Sequence, residues 1–249
     1  MKTFKLILQI QQSSPMNLPR RLSFSLRSFV AREPNYWFLY QFYIWWGKMK
    51  KKSKDANPQE RIVRPCTELV IDGFQGSANS FATAAFKFAQ TKEVKLAHHL
   101  HSPAQIIQAI QQNIPVWLTI REPEGTVLSL TSRWPHVSVS QALRSYIAFY
   151  RKLEPYSEYY VVSNFEQTTQ QLDLVVQKIN QRFERNFDII DVEKANKECR
   201  PKGSKHQDKV SKRQKLKLVK KKEILKPQNT LLLKEAQTLY EKFKRLSES

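Results

Sequence analysis

Cysteine and glycine are scarce in this chain: Cys66 and Cys199 are the only thiols and there are five glycines in 249 residues. Two thiols exclude the disulfide scaffold of a small secreted domain and are too few for a cysteine-based zinc site, so a reducing compartment is the simplest fit. Five glycines and twelve prolines likewise exclude a collagenous or low-complexity chain. A long hydrophobic run is also missing. The most apolar stretch, Tyr36 to Trp46, has eleven residues, against the ~20 that a helix needs to span a bilayer. Met1 to Ile10 imitate an export signal only weakly, because Gln9, Gln11 and Gln12 interrupt the apolar segment and no small-residue cleavage site follows. The expectation is a cytoplasmic protein of one large or two small domains.

Positive charge is what the chain has in excess, with 42 Lys+Arg against 22 Asp+Glu and a formal charge of +20. Such a balance predicts an anionic partner. The excess sits in two flanks: residues 1–64 carry 13 basic and 3 acidic side chains, and residues 200–226 carry 12 and 2. The middle, 65–199, holds 13 and 14 and reads as a neutral globular domain. We therefore expect a basic, aromatic-rich extension over 1–60 and a domain over 61–249 that includes a basic loop, 200–226, and a terminal helix, 228–247. In the extension, the run YWFLYQFYIWW follows Arg20, Arg21, Arg27 and Arg32 and precedes Lys48, Lys50, Lys51, Lys52 and Lys54. Rings flanked by cations suit the interface of an anionic membrane, and they suit a helix packed on the core equally well.

Between the flanks, short apolar β-branched runs alternate with amphipathic segments. Leu69-Val70-Ile71 ends at Asp72-Gly73 as a buried strand does, Val94–Ala97, Val116–Ile120 and Tyr159–Val162 read as further strands, and helices are expected from a cap at Asn79 or Ser80, from Ser102-Pro103 to about Gln112, over Val139–Leu153 and over Leu172–Phe183. Alternation of this kind predicts an α/β fold with a central parallel sheet flanked by helices.

The loop Gly73-Phe74-Gln75-Gly76-Ser77-Ala78-Asn79-Ser80 falls between a strand and a helix, where free N–H groups and the helix dipole favour an anion. It shares Gly73 and Ser80 with the phosphate-binding pattern G-x-x-x-x-G-K-[ST], but Ala78 and Asn79 replace the second glycine and the lysine, which argues against ATP or GTP cleavage. The third strand runs into Arg121-Glu122-Pro123, with Ser129 eight residues after the arginine. A guanidinium at the carboxyl end of a parallel strand faces the ligand crevice and clamps phosphate with two donors; an ion pair with Glu122 or Glu124 is its alternative. His98-His99-Leu100-His101 follows the second strand. His99, with an ordinary pKa of ~6.5, is a candidate base. A metal on His99 and His101, sharing one face of a strand, is the competing reading, but no cysteine or carboxylate beside them completes a ligand set.

The loop together with R-x-P-x-x-x-x-x-S at Arg121 to Ser129 resembles the two cofactor motifs of the sulfotransferase family, and the likeness runs on through Asn164-Phe165-Glu166 to cover roughly residues 66–190. The resemblance implies a P-loop-like three-layer fold and 3′-phosphoadenosine 5′-phosphosulfate, PAPS, as the donor, with PAP as the product and no metal. It implies that Gln75, Gly76, Ser77, Ala78, Asn79 and Ser80 hold the 5′-phosphosulfate, that Arg121 and Ser129 hold the 3′-phosphate, and that His99 is the catalytic base. Arg200, Lys202 and Gly203 fall roughly where the family has a basic, glycine-containing loop for the 3′-phosphate. The acceptor would be a hydroxyl or an amine, on a saccharide or a lipid. The chain departs from the family at Gly76, where a lysine or arginine is usual. Lys87, Lys95 or a residue of Arg200–Lys222 would have to supply that charge, and Gly76→Lys becomes a candidate activating change. Two other readings stand beside this one: a PAPS- or PAP-binding relative without turnover, and a basic nucleic-acid-binding protein whose affinity falls steeply with salt.

Overall fold

The strands β1 (Leu69–Gly73), β2 (Leu96–His98), β3 (Val116–Thr119) and β4 (Val161–Ser163) pair in parallel as one sheet, in the order β2-β1-β3-β4. The computed structural model describes residues 18–50, 61–200 and 204–248. Every residue of β1 and β3 is buried, which is why these strands read as unbroken apolar runs: a parallel strand is covered on both faces. Successive side chains divide between two cores. Val70, Val116 and Leu118 enter one, while Leu69, Ile71 and Trp117 enter the other.

The helices, in chain order, are α1 (Leu18–Arg32), α2 (Trp37–Lys50), α3 (Asn79–Ala89), α4 (Pro103–Gln111), α5 (Pro123–Arg133), α6 (Val139–Leu153), α7 (Phe165–Gln170), α8 (Leu172–Phe183), α9 (Val192–Cys199), α10 (Ser204–Ile224) and α11 (Pro227–Glu248). Helices α3, α8 and α9 cover one face of the sheet; α1, α2, α4, α5, α6 and α11 contribute to the core on the other. The expected cap holds at Ser102, whose Oγ accepts from Gln105 N at 3.2 Å; Ser138, not singled out in the sequence, caps α6 in the same way, its Oγ accepting from Gln141 N at 3.1 Å.

Several expectations are corrected. Strand β2 starts at Leu96 because the Glu68 N–H donates to Lys95 O at 2.8 Å and sets the pairing of Leu69 with Leu96. Strand β4 starts at Val161, after a 3-10 turn over Glu154–Tyr159. The 200–226 stretch is a 21-residue helix, α10, over Ser204–Ile224, and not a loop. Its less exposed positions include Arg213, Leu216, Lys217, Val219, Lys220, Glu223 and Ile224. Long cationic stems provide the apolar contact there while their heads stay polar, so no hydrophobic period marks the helix in the sequence.

The extension does pack on the core. Phe24, Ala31, Trp37, Tyr40 and Ile44 are buried in it, and the Tyr40 hydroxyl donates to Leu100 O at 2.8 Å. The outer side of the same hairpin leaves Leu22 62% and Phe38 63% exposed, along with Leu26, Phe42 and Tyr43. Among the described residues, no helix is long and apolar enough to cross a membrane.

Candidate functional site

The strand order places the chain reversal between β1 and β3, and in an open parallel sheet the crevice beyond the carboxyl ends of those strands is where ligands bind. The two segments singled out in the sequence emerge there. The β1–α3 loop turns through Gly76 at φ 102° and Ala78 at φ 67°, a geometry that leaves successive N–H groups pointing to one side. The N–H groups of Gly76, Ala78, Asn79 and Ser80 have no protein acceptor among the described residues. Ala78, and neither Asn79 nor Ser80, occupies the cap position of α3.

The loop's side chains divide into scaffold and surface. Ser77 is fully buried, its hydroxyl 3.4 Å from that of Tyr150, and Asn79 is 3% exposed. Asn79 Nδ2 donates to Gly73 O and Phe74 O, each at 3.1 Å, and its Oδ1 accepts from Thr119 Oγ1 at 2.5 Å. Those two side chains therefore hold the loop's shape, and the groups left for a ligand are the backbone N–H donors, the exposed Ser80 hydroxyl and the unpaired Gln75 Oε1.

Ser129, on α5, meets the loop at Gly76: a Cβ on that glycine would lie 3.3 Å from Ser129 Cβ and 3.4 Å from its Oγ. Arg121 lies at the end of β3 with its guanidinium 4.0 Å from the centroid of the Phe165 ring and its Nε 3.1 Å from Glu122 Oε1. The ion pair weighed as the alternative is thus present, and stacking on Phe165 fixes the guanidinium plane beside it. Helix α10 brings more cations. Burial, followed by the charges of Arg121, Arg213 and Arg133, holds the Lys217 ammonium below its ordinary range; burial and then Arg213 lower Arg133. Positive charge crowded in this way is what an incoming phosphate relieves. Arg200 lies with its guanidinium 5.7 Å from the Phe81 ring at the start of α3; Lys202 and Gly203 lie outside the described residues. Of the substitute cations considered for Gly76, Lys95 precedes β2 and so lies at the opposite end of the sheet, whereas Lys87 Nζ is 3.4 Å from His98 Nε2.

The histidines do not share a strand face. His98 ends β2, and His99 and His101 have φ values of 60° and 52° in the turn that follows. Lys87 donates to His98 Nε2, so His98 Nδ1 carries the proton given to His99 Nδ1 at 2.8 Å, and His99 Nε2–H donates to Ser80 Oγ at 2.9 Å. Both nitrogens of His99 are taken up, and burial, with the neighbouring His101, pushes its pKa down to about 4. Burial and His99 push His98 down to about 3. Both rings are therefore neutral at pH 7. His101 is placed differently. Its Nδ1–H donates to Gly73 O at 2.8 Å, 3.4 Å from the buried Asp72 carboxylate, and Nε2 has no hydrogen-bond partner among the described residues. Asp72 Oδ1 also accepts the His101 N–H at 3.1 Å. An imidazole whose outer nitrogen is unbonded and whose inner nitrogen is backed by a carboxylate has the geometry of a general base. Among the described residues no group of three His, Cys, Asp or Glu side chains is placed to hold a metal ion.

A cleft of about 420 Å³ opens beside the loop, between α1 and α6, and Phe74, Gln75 and His101 line its inner end. Sequence reasoning passed over His101 as a base, because nothing in H-H-L-H tells which ring will face a carboxylate. It also passed over Arg213 and Lys217, hidden in a charge run. Comparison of the chain with family models, with curated proteins and with solved structures finds no match.

Proposed function

We propose that this protein is a PAPS-dependent sulfotransferase of P-loop-like fold, moving a sulfuryl group to an acceptor hydroxyl and leaving PAP. The observation that carries the reading is the meeting of Gly76 and Ser129: two motifs far apart in sequence converge on one crevice. In this reading the N–H groups of the β1–α3 loop and Ser80 hold the 5′-phosphosulfate, and Ser129 and Arg121, with Arg213 and Lys217 behind them, hold the 3′-phosphate. The acceptor oxygen attacks sulfur in line, the bond from sulfur to the bridging phosphate oxygen breaks, and the electron pair leaves with PAP. The acceptor's proton passes to His101 Nε2, where Asp72 stabilises the imidazolium. His99 holds the Ser80 hydroxyl in position. Gly76 favours a second reading, a PAP-binding relative without turnover, because no cation from the loop itself meets the bridging oxygen.

The exposed aromatic side of the α1–α2 hairpin supports a peripheral contact with an anionic membrane in the same proposal. Neither helix contains an acidic residue, and the Arg27 guanidinium lies 6.0 Å from the centroid of the Tyr43 ring.

Calorimetry of PAP against AMP at physiological salt tests the donor site. PAP binds and AMP binds at least about tenfold more weakly, and Arg121→Ala loses at least about tenfold in PAP affinity. A folded protein that fails to distinguish PAP from AMP overturns the reading. Oligonucleotide binding that collapses with salt, without PAP binding, would place function on the basic flanks instead.

A further inference from the structure

We infer that the cleft between α1 and α6 binds the acceptor, and that the acceptor is a hydroxylated molecule carrying a phosphate, sulfate or carboxylate; the inference rests on the donor site proposed above. The cleft is built by two facing helical stripes. Arg21, Ser28 and Arg32 project from α1, and Gln141, Arg144 and Ala148 from α6, in each case at spacings that put side chains on one face. The helices are tied together at one end, where Arg21 Nε donates to His136 O at 2.8 Å and Gln141 Nε2 to Arg21 O at 2.8 Å.

Charge sets the ligand class. Three arginines line the cleft and no lining residue is acidic. Glu33, just outside, is already held between Arg32 and Lys152, each at 2.8 Å, and those two contacts keep its carboxyl below the usual range. Arg144 is exposed and has no ion-pair partner among the described residues. An uncompensated guanidinium on a concave wall recognises an anion with paired donors.

The inner end of the cleft sets the second requirement. Gln75 is 9% exposed and lines the cleft, yet its Oε1 has no hydrogen-bond partner. A buried acceptor left unpaired is destabilising, and a ligand hydroxyl relieves that cost. Gln75 belongs to the loop proposed to hold the phosphosulfate, and His101 lines the same inner end. A hydroxyl donating to Gln75 Oε1 therefore lies between the transferred group and the base, while the ligand's anion reaches Arg144 at the outer wall. Helix α1, from the N-terminal extension, thus supplies half of the acceptor site.

Two sources share this chemistry, an acidic saccharide and an anionic lipid headgroup, and separate probes distinguish them. The protein, saturated with PAP, is titrated with a sulfated uronate disaccharide, with monomeric dihexanoyl phosphatidylglycerol, and with neutral lactose. At least one anionic probe binds at least about tenfold more tightly than lactose, and Arg144→Glu removes about tenfold or more of that affinity while leaving PAP affinity and Tm unchanged. Lactose binding as well as both anionic probes, neither anionic probe binding, or Arg144→Glu binding them like the wild type overturns the acceptor assignment and leaves the donor site standing. Loss of PAP binding in the wild type strikes the donor reading instead, so the two failures are distinct.

Discussion

Ser129 stands against Gly76 so closely that a side chain there fits only tightly: a Cβ on Gly76 would lie 3.3 Å from Ser129 Cβ and 3.3 Å from Thr126 O, and the φ of Gly76 is 102°. Glycine is therefore favoured at this position first by backbone conformation and then by space. Gly76→Lys, attractive from the sequence as a way to restore the cation common in the resembling family, would strain the backbone and push α5 away from the loop. We expect Gly76→Ala to cost about 2 kcal/mol, roughly 4–8 °C in Tm, and both Gly76→Ala and Gly76→Lys to weaken PAP binding. A Gly76→Lys protein with wild-type Tm and tighter PAP binding would show that the contact yields.

The two histidines predict separable kinetic defects. His101→Gln removes the lone pair that takes the proton, so kcat falls about 10²–10⁴-fold with PAP affinity kept. His99→Gln loosens Ser80 and weakens donor binding, while kcat at saturating donor stays within about threefold of wild type. The reverse pattern in steady-state kinetics, a collapsed kcat in His99→Gln beside a near-normal His101→Gln, would return the base role to His99.

His98 and His99 also make stability depend on pH. Their folded pKa values, about 3 and about 4, lie below the ordinary 6.5, so the unfolded chain takes up protons first as pH falls. Their stabilising effect is complete above pH ~6.5 and is lost as the pH drops toward the folded values. Between pH 7 and pH 5 the loss is about 2 kcal/mol for each histidine. Urea unfolding at the two pH values measures it, and a His98→Gln/His99→Gln protein shows a shallower dependence.

For the membrane contact, co-sedimentation with vesicles of phosphatidylglycerol in phosphatidylcholine is the direct measurement. The wild type pellets with anionic vesicles and is released by salt, which screens exposed charges beyond ~10 Å at 0.1 M. Phe38→Ser with Phe42→Ser, both exposed, leaves the protein in the supernatant without changing Tm. Equal pelleting of wild type and variant would remove the hairpin as the membrane contact.

The sheet and about half of the helices were legible because their signals are local. Val116–Thr119 is buried on both faces and so carries an unbroken apolar run, and Ser102-Pro103 is a cap that acts within one turn. Helix α10 was not legible, since Arg213, Lys217 and Lys220 pack by their stems and their charges conceal the period. Within the candidate site, the loop and the pair Arg121 and Ser129 stood out by residue type and spacing, but the direction of each side chain did not. Ser77 and Asn79 read as ligand donors, and the fold turns both inward because Tyr150 and Thr119 reach them from α6 and β3.

By itself, the sequence determined where the chain forms strands and caps, that its middle is neutral between basic flanks, and which residues gather at strand ends, since these depend on neighbours a few positions apart. Tertiary structure alone decided that Gly76 faces Ser129 across a narrow gap, that His99 is bonded at both nitrogens while His101 bonds through Nδ1 beside Asp72, and that α1 and α6 leave Arg144 and Gln75 Oε1 facing an open cleft. Those relationships join residues distant along the chain, and what fixes them is the packing of helices on two faces of a four-stranded sheet.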